Sequence, residues 1–233
     1  MIISFAGEFI KNLIAFLFFV PLSSLAAPKV FFSWAQPYDR MCARGFDFSN
    51  LDKDADNEKL QQSWSTELKD RIPEFQQKWD ELSPELFKVL LAEFKRDFSR
   101  SEYTASLSTC AVAPSMPDPF VLNVSRYLKT YMSPKPPRDL KLFIDVAFHE
   151  LLHLWIAENF KQETALKIKY KNEKLGVTNH IHLFAMQSLI YEKAKRKNLW
   201  KEVHDFHIRK GGPHKRAMQI LDIEGRQKIL REL

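Results

Sequence analysis

One segment, residues 140–160, limits the folds open to this chain more than any other part of the sequence. It has the length and apolar character of a buried helix, and it contains the run His149-Glu150-Leu151-Leu152-His153 between stretches free of charge. Helix positions four apart share a face, so His149 and His153 can direct two imidazoles at one metal ion. Glu150 then lies where it can reach a water molecule on that metal. We therefore predict a zinc-binding helix, the alternative being a core helix with hydrogen-bonded histidines.

A catalytic zinc needs a third protein ligand, and three residues after the motif are candidates for it. His180 and His182 stand at the head of the next predicted helix, and Glu173 precedes them. Residues two apart on a helix point about 200° from each other, so only one of the two histidines can face the metal. His180 lies on the charge-free side of that helix, whereas His182 shares the side of Lys193. We expect His180 to be the ligand, with His182 and Glu173 as alternatives.

The residues around this site supply the rest of the expected chemistry. Glu150 is the candidate general base, because a carboxylate beside a metal can take the proton of the attacking water. Tyr191, on the charge-free side of the following helix, is a candidate stabiliser of the transition state. His204, His207 and His214 are expected on the surface, although one of them could donate a hydrogen bond to an oxyanion.

Residues 1–26 have the pattern of an export signal. Residues 13–20 are an apolar run, Pro21 ends it, and Ser24-Leu25-Ala26 offers the small residues that a signal peptidase inspects. We predict cleavage after Ala26 and a mature protein that is periplasmic or secreted. The alternative is a retained membrane anchor, for which the apolar stretch is short. Residues 27–233 contain no linker and predict a single domain.

Two cysteines, Cys42 and Cys110, both follow the predicted signal. In an oxidising compartment they are expected to form a disulfide that ties the start of the mature chain to its middle. Their spacing does not suit metal binding. Two free buried thiols are the alternative.

The chain carries a formal net charge of +6, and its lysines and arginines crowd the second half. Such a charge attracts anionic envelope lipids, cell-wall polymers or acidic substrates, and export argues against nucleic acid as the partner. The basic runs could equally be solvated helix faces. We expect a monomer.

Six glycines are few for a β-rich chain, so helices should dominate an α+β fold. Residues 57–98 predict two helices: Pro73 interrupts the apolar spacing of the first, and Ser83-Pro84-Glu85 opens the second. Residues 28–56 predict irregular structure. Residues 103–112 and 120–124 are rich in β-forming side chains and predict a small antiparallel sheet, a hairpin. Asp139 is the expected N-cap of the motif-bearing helix.

The HELLH run with its uncharged flanks resembles the zincin metallopeptidases, in which this motif lies on the active-site helix and the third ligand comes from farther along the chain. Residues 104–110, 115–116, 119–123 and 179–183, together with that helix, also look like a group of exported bacterial proteins assigned as peptidases from the same motif. The resemblance implies a zincin-like fold, bound Zn²⁺ and peptide-bond hydrolysis. The chain departs from the metzincins, since no glycine and third histidine closely follow the motif. It also lacks the clean glutamate-bearing helix of the thermolysin type.

The expected function is thus that of an exported zinc peptidase acting on a peptide or protein substrate, with Glu150 activating the water. One alternative is a non-catalytic zincin-like protein of the envelope or cell surface, with a structural metal or none. A closed site with four protein ligands, for instance the three histidines and Glu173, would favour that version. Another alternative is hydrolysis of a cell-wall amide.

Overall fold

The computed structural model describes residues 26–45, 57–110, 114–131 and 136–233, with no side chains described at 41–45 and 57–58. Within these residues the helices and strands follow one another as β1 (Lys29–Trp34), α1 (Gln36–Gly45), α2 (Asn57–Phe94), β2 (Glu102–Ser108), β3 (Val121–Asn123), α3 (Leu140–Asn159), α4 (Ala165–Lys169), α5 (Leu175–Lys193), α6 (Lys197–Lys210), α7 (Gly212–Glu224) and α8 (Arg226–Leu230). The expectation of a mostly helical α+β fold is confirmed at this coarse level.

The sheet is parallel, and the expected antiparallel hairpin of residues 103–112 and 120–124 is wrong. The strand order is β1-β2-β3, with Val30 opposite Tyr103 and Ser106 opposite Val121. Strand β1 lies in the stretch for which the sequence predicts irregular structure. About a dozen residues connect β2 to β3. This is enough for the chain to return to the end of the sheet at which β2 begins, as a parallel pair requires. The antiparallel contact of Val121 is instead a single bridge to Met116.

Helix α2 is continuous, so the predicted start of a second helix at Ser83-Pro84 is wrong. Both Pro73 and Pro84 lie inside it. A proline inside a helix removes one backbone hydrogen bond and crowds the preceding turn. The apolar face of α2 outweighs that cost, because it is buried along its length. Its largest fully buried side chains are Trp64, Leu68, Phe75, Trp79, Leu86 and Phe87.

Helix α3, which carries the HELLH run, is held in the core by aromatic contacts near its start. Asp139 caps it, since its side chain accepts from the amide of Lys141, as predicted. Phe143 then packs edge-on against Phe32 of the sheet and Phe75 of α2, with ring centroids 5.1 and 4.7 Å apart. These contacts fix the helix, so that its later turns pack against α5.

The last helices fold back over α5 through a sharp glycine turn. Gly211, between α6 and α7, and Gly212, the first residue of α7, have positive φ values of 81° and 69°, which glycine adopts without strain. Gly176, in the first turn of α5, adjoins Pro213, and a Cβ atom at this position would lie 3.2 Å from the proline Cβ. The starts of α5 and α7 are therefore in close contact.

Residues 1–25 and the side chain of Cys42 lie outside the described part of the chain, so the predicted signal and disulfide stay predictions. Cys110 itself is buried. Within the described residues, no helix combines the length and the hydropathy needed to cross a membrane.

Candidate metal centre

Three histidine side chains converge where α3 meets the first turns of α5. The Nε2 atom of His180 lies 3.1 Å from Nε2 of His149 and 3.2 Å from Nε2 of His153. A tetrahedral zinc ion with Zn–N bonds of about 2.05 Å holds its nitrogens about 3.3 Å apart. Among the described residues, this is the group of potential ligands whose donor atoms lie close enough to share one ion. The spacing therefore suits a single metal.

The ring of His180 is oriented by a backbone carbonyl. Its Nδ1 lies 2.6 Å from the carbonyl oxygen of Gly176, one helical turn earlier. A carbonyl oxygen only accepts, so Nδ1 must carry the proton and donate it. In the neutral ring the Nε2 atom is then unprotonated, and its lone pair faces His149 and His153.

The ring of His149 is oriented by a glutamine. Its Nδ1 donates to Oε1 of Gln187 at 3.3 Å, and Nε2 of Gln187 donates to Oδ1 of Asp145 at 2.6 Å. The hydroxyl of Tyr191 also donates to this carboxyl oxygen, at 2.9 Å. Because Asp145 accepts, the amide nitrogen of Gln187 must face it and the amide oxygen must face the histidine. This chain of hydrogen bonds leaves Nε2 of His149 unprotonated as well.

Two unprotonated nitrogens that face each other at 3.1 Å repel through their lone pairs, and a cation between them turns the repulsion into two bonds. The third nitrogen, from His153, completes a set of neutral imidazoles of the kind that binds zinc, copper or nickel. The donor set and its spacing therefore fit a metal ion.

Burial keeps these rings in the neutral form that binds metals. Desolvation, with a further contribution from neighbouring histidines, lowers the pKa of His149 well below its usual value and the pKa of His153 to about 3. Desolvation also lowers the pKa of His180. At neutral pH the folded protein thus holds three neutral imidazoles, and protons do not compete with a metal for them.

Glu150 shares these apolar surroundings. Its carboxyl is buried, and desolvation raises its pKa to about 8. Burial likewise raises the pKa of Asp145 to about 7, although the hydrogen bonds from Tyr191 and Gln187 oppose the rise. A cation held by the histidines would draw the pKa of Glu150 down again, because a nearby opposite charge favours the ionised form. Glu150 can therefore exchange a proton near neutral pH.

The two alternative third ligands have other partners. Nε2 of His182 donates to Glu232 at 2.9 Å, and Glu173 accepts from Nε of Arg216 at 2.8 Å. Neither joins the group of three histidines. Since no fourth ligand from the described residues joins it either, a coordination position is left open for water or substrate.

Tyr191 does not have the position expected for a stabiliser of the transition state. Its side chain is fully buried, and its hydroxyl is committed to Asp145. The tyrosine therefore supports the hydrogen-bond chain through Gln187 to His149, and the expected contact with a substrate does not fit this structure.

Two histidines expected on the surface lie beside the three converging histidines. The ring centroid of His214 is 4.2 Å from that of His180, and Nδ1 of His214 lies 3.1 Å from Nδ1 of His207. Burial lowers the pKa of His207 to about 4 and that of His214 to about 3. The sequence signal for their position is the pair Gly211-Gly212, because it allows the sharp turn that folds α7 back towards α5. The sequence does not predict a role for Gln187 in the site either, although this residue lies two helical turns after His180 on the same face of α5.

A cavity of about 270 Å³ opens beside His153. Its lining includes the apolar side chains of Ile156, Ala157, Phe160 and Leu233 and the polar side chains of Lys167, Asn179 and His182. The apolar part can take an aliphatic or aromatic side chain next to a candidate metal ligand.

Comparison with protein-family models, curated proteins and solved structures gives no significant match to this chain. Function therefore has to follow from the geometry of the site. That geometry comprises three converging imidazoles and a buried carboxylic acid, Glu150, on the same helix as two of them. It also includes a cavity beside His153.

Proposed function

We propose that this chain is an exported zinc-dependent hydrolase of the zincin type that cleaves peptide bonds. The observation that carries the proposal is the convergence of unprotonated Nε2 atoms from His149 and His180, each enforced by a hydrogen bond at the other ring nitrogen. Two facing lone pairs destabilise a buried cluster unless a cation lies between them. The HELLH run adds Glu150, an acid able to handle protons, on the same helix.

Each residue has a defined part in the proposed reaction. His149, His153 and His180 would hold the metal, and zinc bound there would lower the pKa of a water molecule and polarise the scissile carbonyl. Glu150 takes the proton of the attacking water and passes it to the leaving amine. Its pKa of about 8 in the metal-free site suits a group that must accept a proton and then release it. His214, whose ring contacts that of His180, donates a hydrogen bond to the developing oxyanion.

An open coordination position supports catalysis over a structural role for the metal. Structural zinc sites use four protein ligands, whereas catalytic sites keep one position for water or substrate. Glu173, the residue that could have closed the site, is bound to Arg216 instead. The cavity beside His153 gives a substrate side chain access to the same region.

The metal content of the protein, purified without chelator, tests the proposal. We expect about one zinc per chain, and hydrolysis of a mixed peptide library that stops on chelation and returns when zinc is added. A cell-wall preparation assayed beside the library separates the two kinds of amide, since cleavage of the cell wall alone would indicate an amidase. A folded chain that takes up no metal from excess zinc would overturn the proposal.

Gln187→Met is expected to weaken zinc binding by about 10- to 100-fold, the usual effect of losing a hydrogen bond behind a metal ligand. Methionine keeps the length of the side chain but can neither accept from His149 nor donate to Asp145. Competition with a chromophoric chelator measures the change. Tyr191→Phe is the comparison variant: it removes only the second donor to Asp145 and leaves the bond between Gln187 and His149 in place, so it should weaken zinc binding less than Gln187→Met. Equal zinc affinity in Gln187→Met and wild type would show that the glutamine does not orient the ligand.

A further inference from the structure

Four large apolar side chains are exposed in the described part of the chain, and three of them lie in one region. Leu175 is 74% exposed, Ile223 is 68% exposed and Ile168 is 52% exposed. The fourth, Phe31, is 46% exposed and belongs to β1. Single apolar residues are normal on a protein surface, whereas several together mark a place that meets an apolar partner.

The three residues belong to one continuous surface, the α4–α7 ridge, defined as residues 165–176 and 212–224. The two stretches lie side by side, and the contacts that join them are Gly176–Pro213, Glu173–Arg216 and Lys169–Glu224. Ile168 directly precedes Lys169, and Ile223 directly precedes Glu224. Leu175 directly precedes Gly176. The exposed aliphatic side chains are therefore distributed along the ridge.

The ridge is also basic. Two of its three acids are paired with cations, Glu173 with Arg216 and Glu224 with Lys169, and the third, Asp222, lies 3.6 Å from Nε2 of His204. Lys171 and Lys174 are exposed, and neither forms an ion pair with the described residues. The charge left uncompensated on this surface is therefore positive.

The mixture of aliphatic side chains and lysines selects among anionic partners. A soluble polyanion such as a cell-wall polymer is attracted by the lysines but gains nothing from Leu175 or Ile168. An anionic lipid surface uses both, since lysines lie at the headgroups while aliphatic side chains enter the boundary with the acyl chains. The observed composition favours the lipid.

We infer that the α4–α7 ridge is a peripheral membrane-binding surface for anionic phospholipids. Ile168, Leu175 and Ile223 enter the interface, and Lys171 and Lys174 contact the headgroups. None of these five residues belongs to the metal centre, so the inference does not depend on catalysis.

The ridge nevertheless adjoins the candidate active site. Lys167, one residue before Ile168, lines the cavity beside His153. Attachment through the ridge therefore brings that cavity close to the membrane surface, where substrates held at the membrane would reach it first.

Flotation of the full chain with lipid vesicles tests the inference. Vesicles of phosphatidylcholine alone are compared with vesicles that also contain phosphatidylglycerol. The measured quantity is the extra binding to the anionic vesicles, because an apolar segment elsewhere in the chain contributes equally to both. We expect Ile168→Ser/Leu175→Ser to weaken this binding by about tenfold or more. Lys171→Gln/Lys174→Gln should weaken it as well.

Phe31→Ser is the matched control, since it removes an exposed apolar side chain from another surface and should bind like the wild type. Thermal unfolding and zinc content of the same samples should not change, because the substituted side chains are exposed. Wild-type binding by Ile168→Ser/Leu175→Ser would overturn the inference. Soluble polyphosphate tests the other anionic partner. If it displaced the wild type from the vesicles and bound Ile168→Ser/Leu175→Ser as tightly as the wild type, the ridge would be a polyanion site instead. An inactive protein that binds vesicles as expected would refute only the proposed hydrolase.

Discussion

Glu150→Gln should lower the kcat/KM of peptide hydrolysis by about 10²- to 10⁴-fold and leave the zinc content at its wild-type value. Glutamine has nearly the shape of glutamate, but it cannot take the proton of the attacking water. The metal should stay bound, because Glu150 is not one of the three converging side chains. Activity and zinc content are measured on the same samples, so that a lost reaction can be told apart from a lost metal.

The same substitution should stabilise the metal-free protein at alkaline pH, which provides a check on folding. Burial raises the pKa of Glu150 to about 8 in the folded chain, from a usual value of 4.5. Between these values the folded state keeps a proton that the unfolded state has released, so the free energy of unfolding falls as the pH rises. Glutamine has no such proton. The melting temperature of the metal-free variant should therefore exceed that of the wild type above pH 8 and approach it below pH 4.5.

Glu158→Gln is the control for the loss of a carboxylate from the same helix. Glu158 accepts hydrogen bonds from Ser99 and Tyr103, and its removal should leave kcat/KM unchanged. Full activity in a folded Glu150→Gln variant would mean that another group activates the water, and the mechanism would have to be abandoned. Loss of zinc from that variant would make Glu150 a metal ligand instead.

His180→Ala should release the zinc, whereas His182→Ala should retain it. The two histidines stand two residues apart on α5, but only His180 has its Nε2 beside those of His149 and His153. Loss of one of three ligands should weaken binding by more than about 100-fold, beyond the effect of losing a hydrogen bond behind a ligand. Equilibrium competition with a chromophoric chelator gives both affinities.

His182→Ala is not silent, because it removes the hydrogen bond to Glu232 and should lower the melting temperature. Thermal unfolding and zinc affinity must therefore be reported separately for both variants. Zinc retained in His180→Ala and lost from His182→Ala would reverse the assignment and require a different arrangement of α5.

The sequence predicts α3, the helix of the HELLH run, well because its signals are local. Asp139 caps α3 as expected, and the four-residue spacing puts His149 and His153 on one face. The position of His180 also follows from the chain, since charge on the other side of α5 leaves it in the sector that turns inward. Helical periodicity thus identifies the faces that carry these three side chains, whereas the packing of α3 against α5 brings the faces together.

The sheet and the neighbouring histidines could not be predicted in the same way. Alternation of side chains identifies β2 and β3 but does not show whether the chain returns before β3 begins, and that path decides between parallel and antiparallel pairing. His207 and His214 stand among lysines and arginines, which favour an exposed position. The turn at residues 211–212 overrides that local preference by folding α7 back towards His180.

The hydrogen bonds that His180 and His149 donate to Gly176 and Gln187 matter before any metal is bound. Folding alone fixes His180 and His149 in the tautomers that can bind it. Small zinc domains become ordered only when the ion binds, so that metal and fold are gained and lost together. Here an apolar core built around α2 and α3 holds the rings in place, so an incoming ion would meet a site that is already formed. Stripping and reloading this centre should be an exchange between two folded states, uncoupled from unfolding.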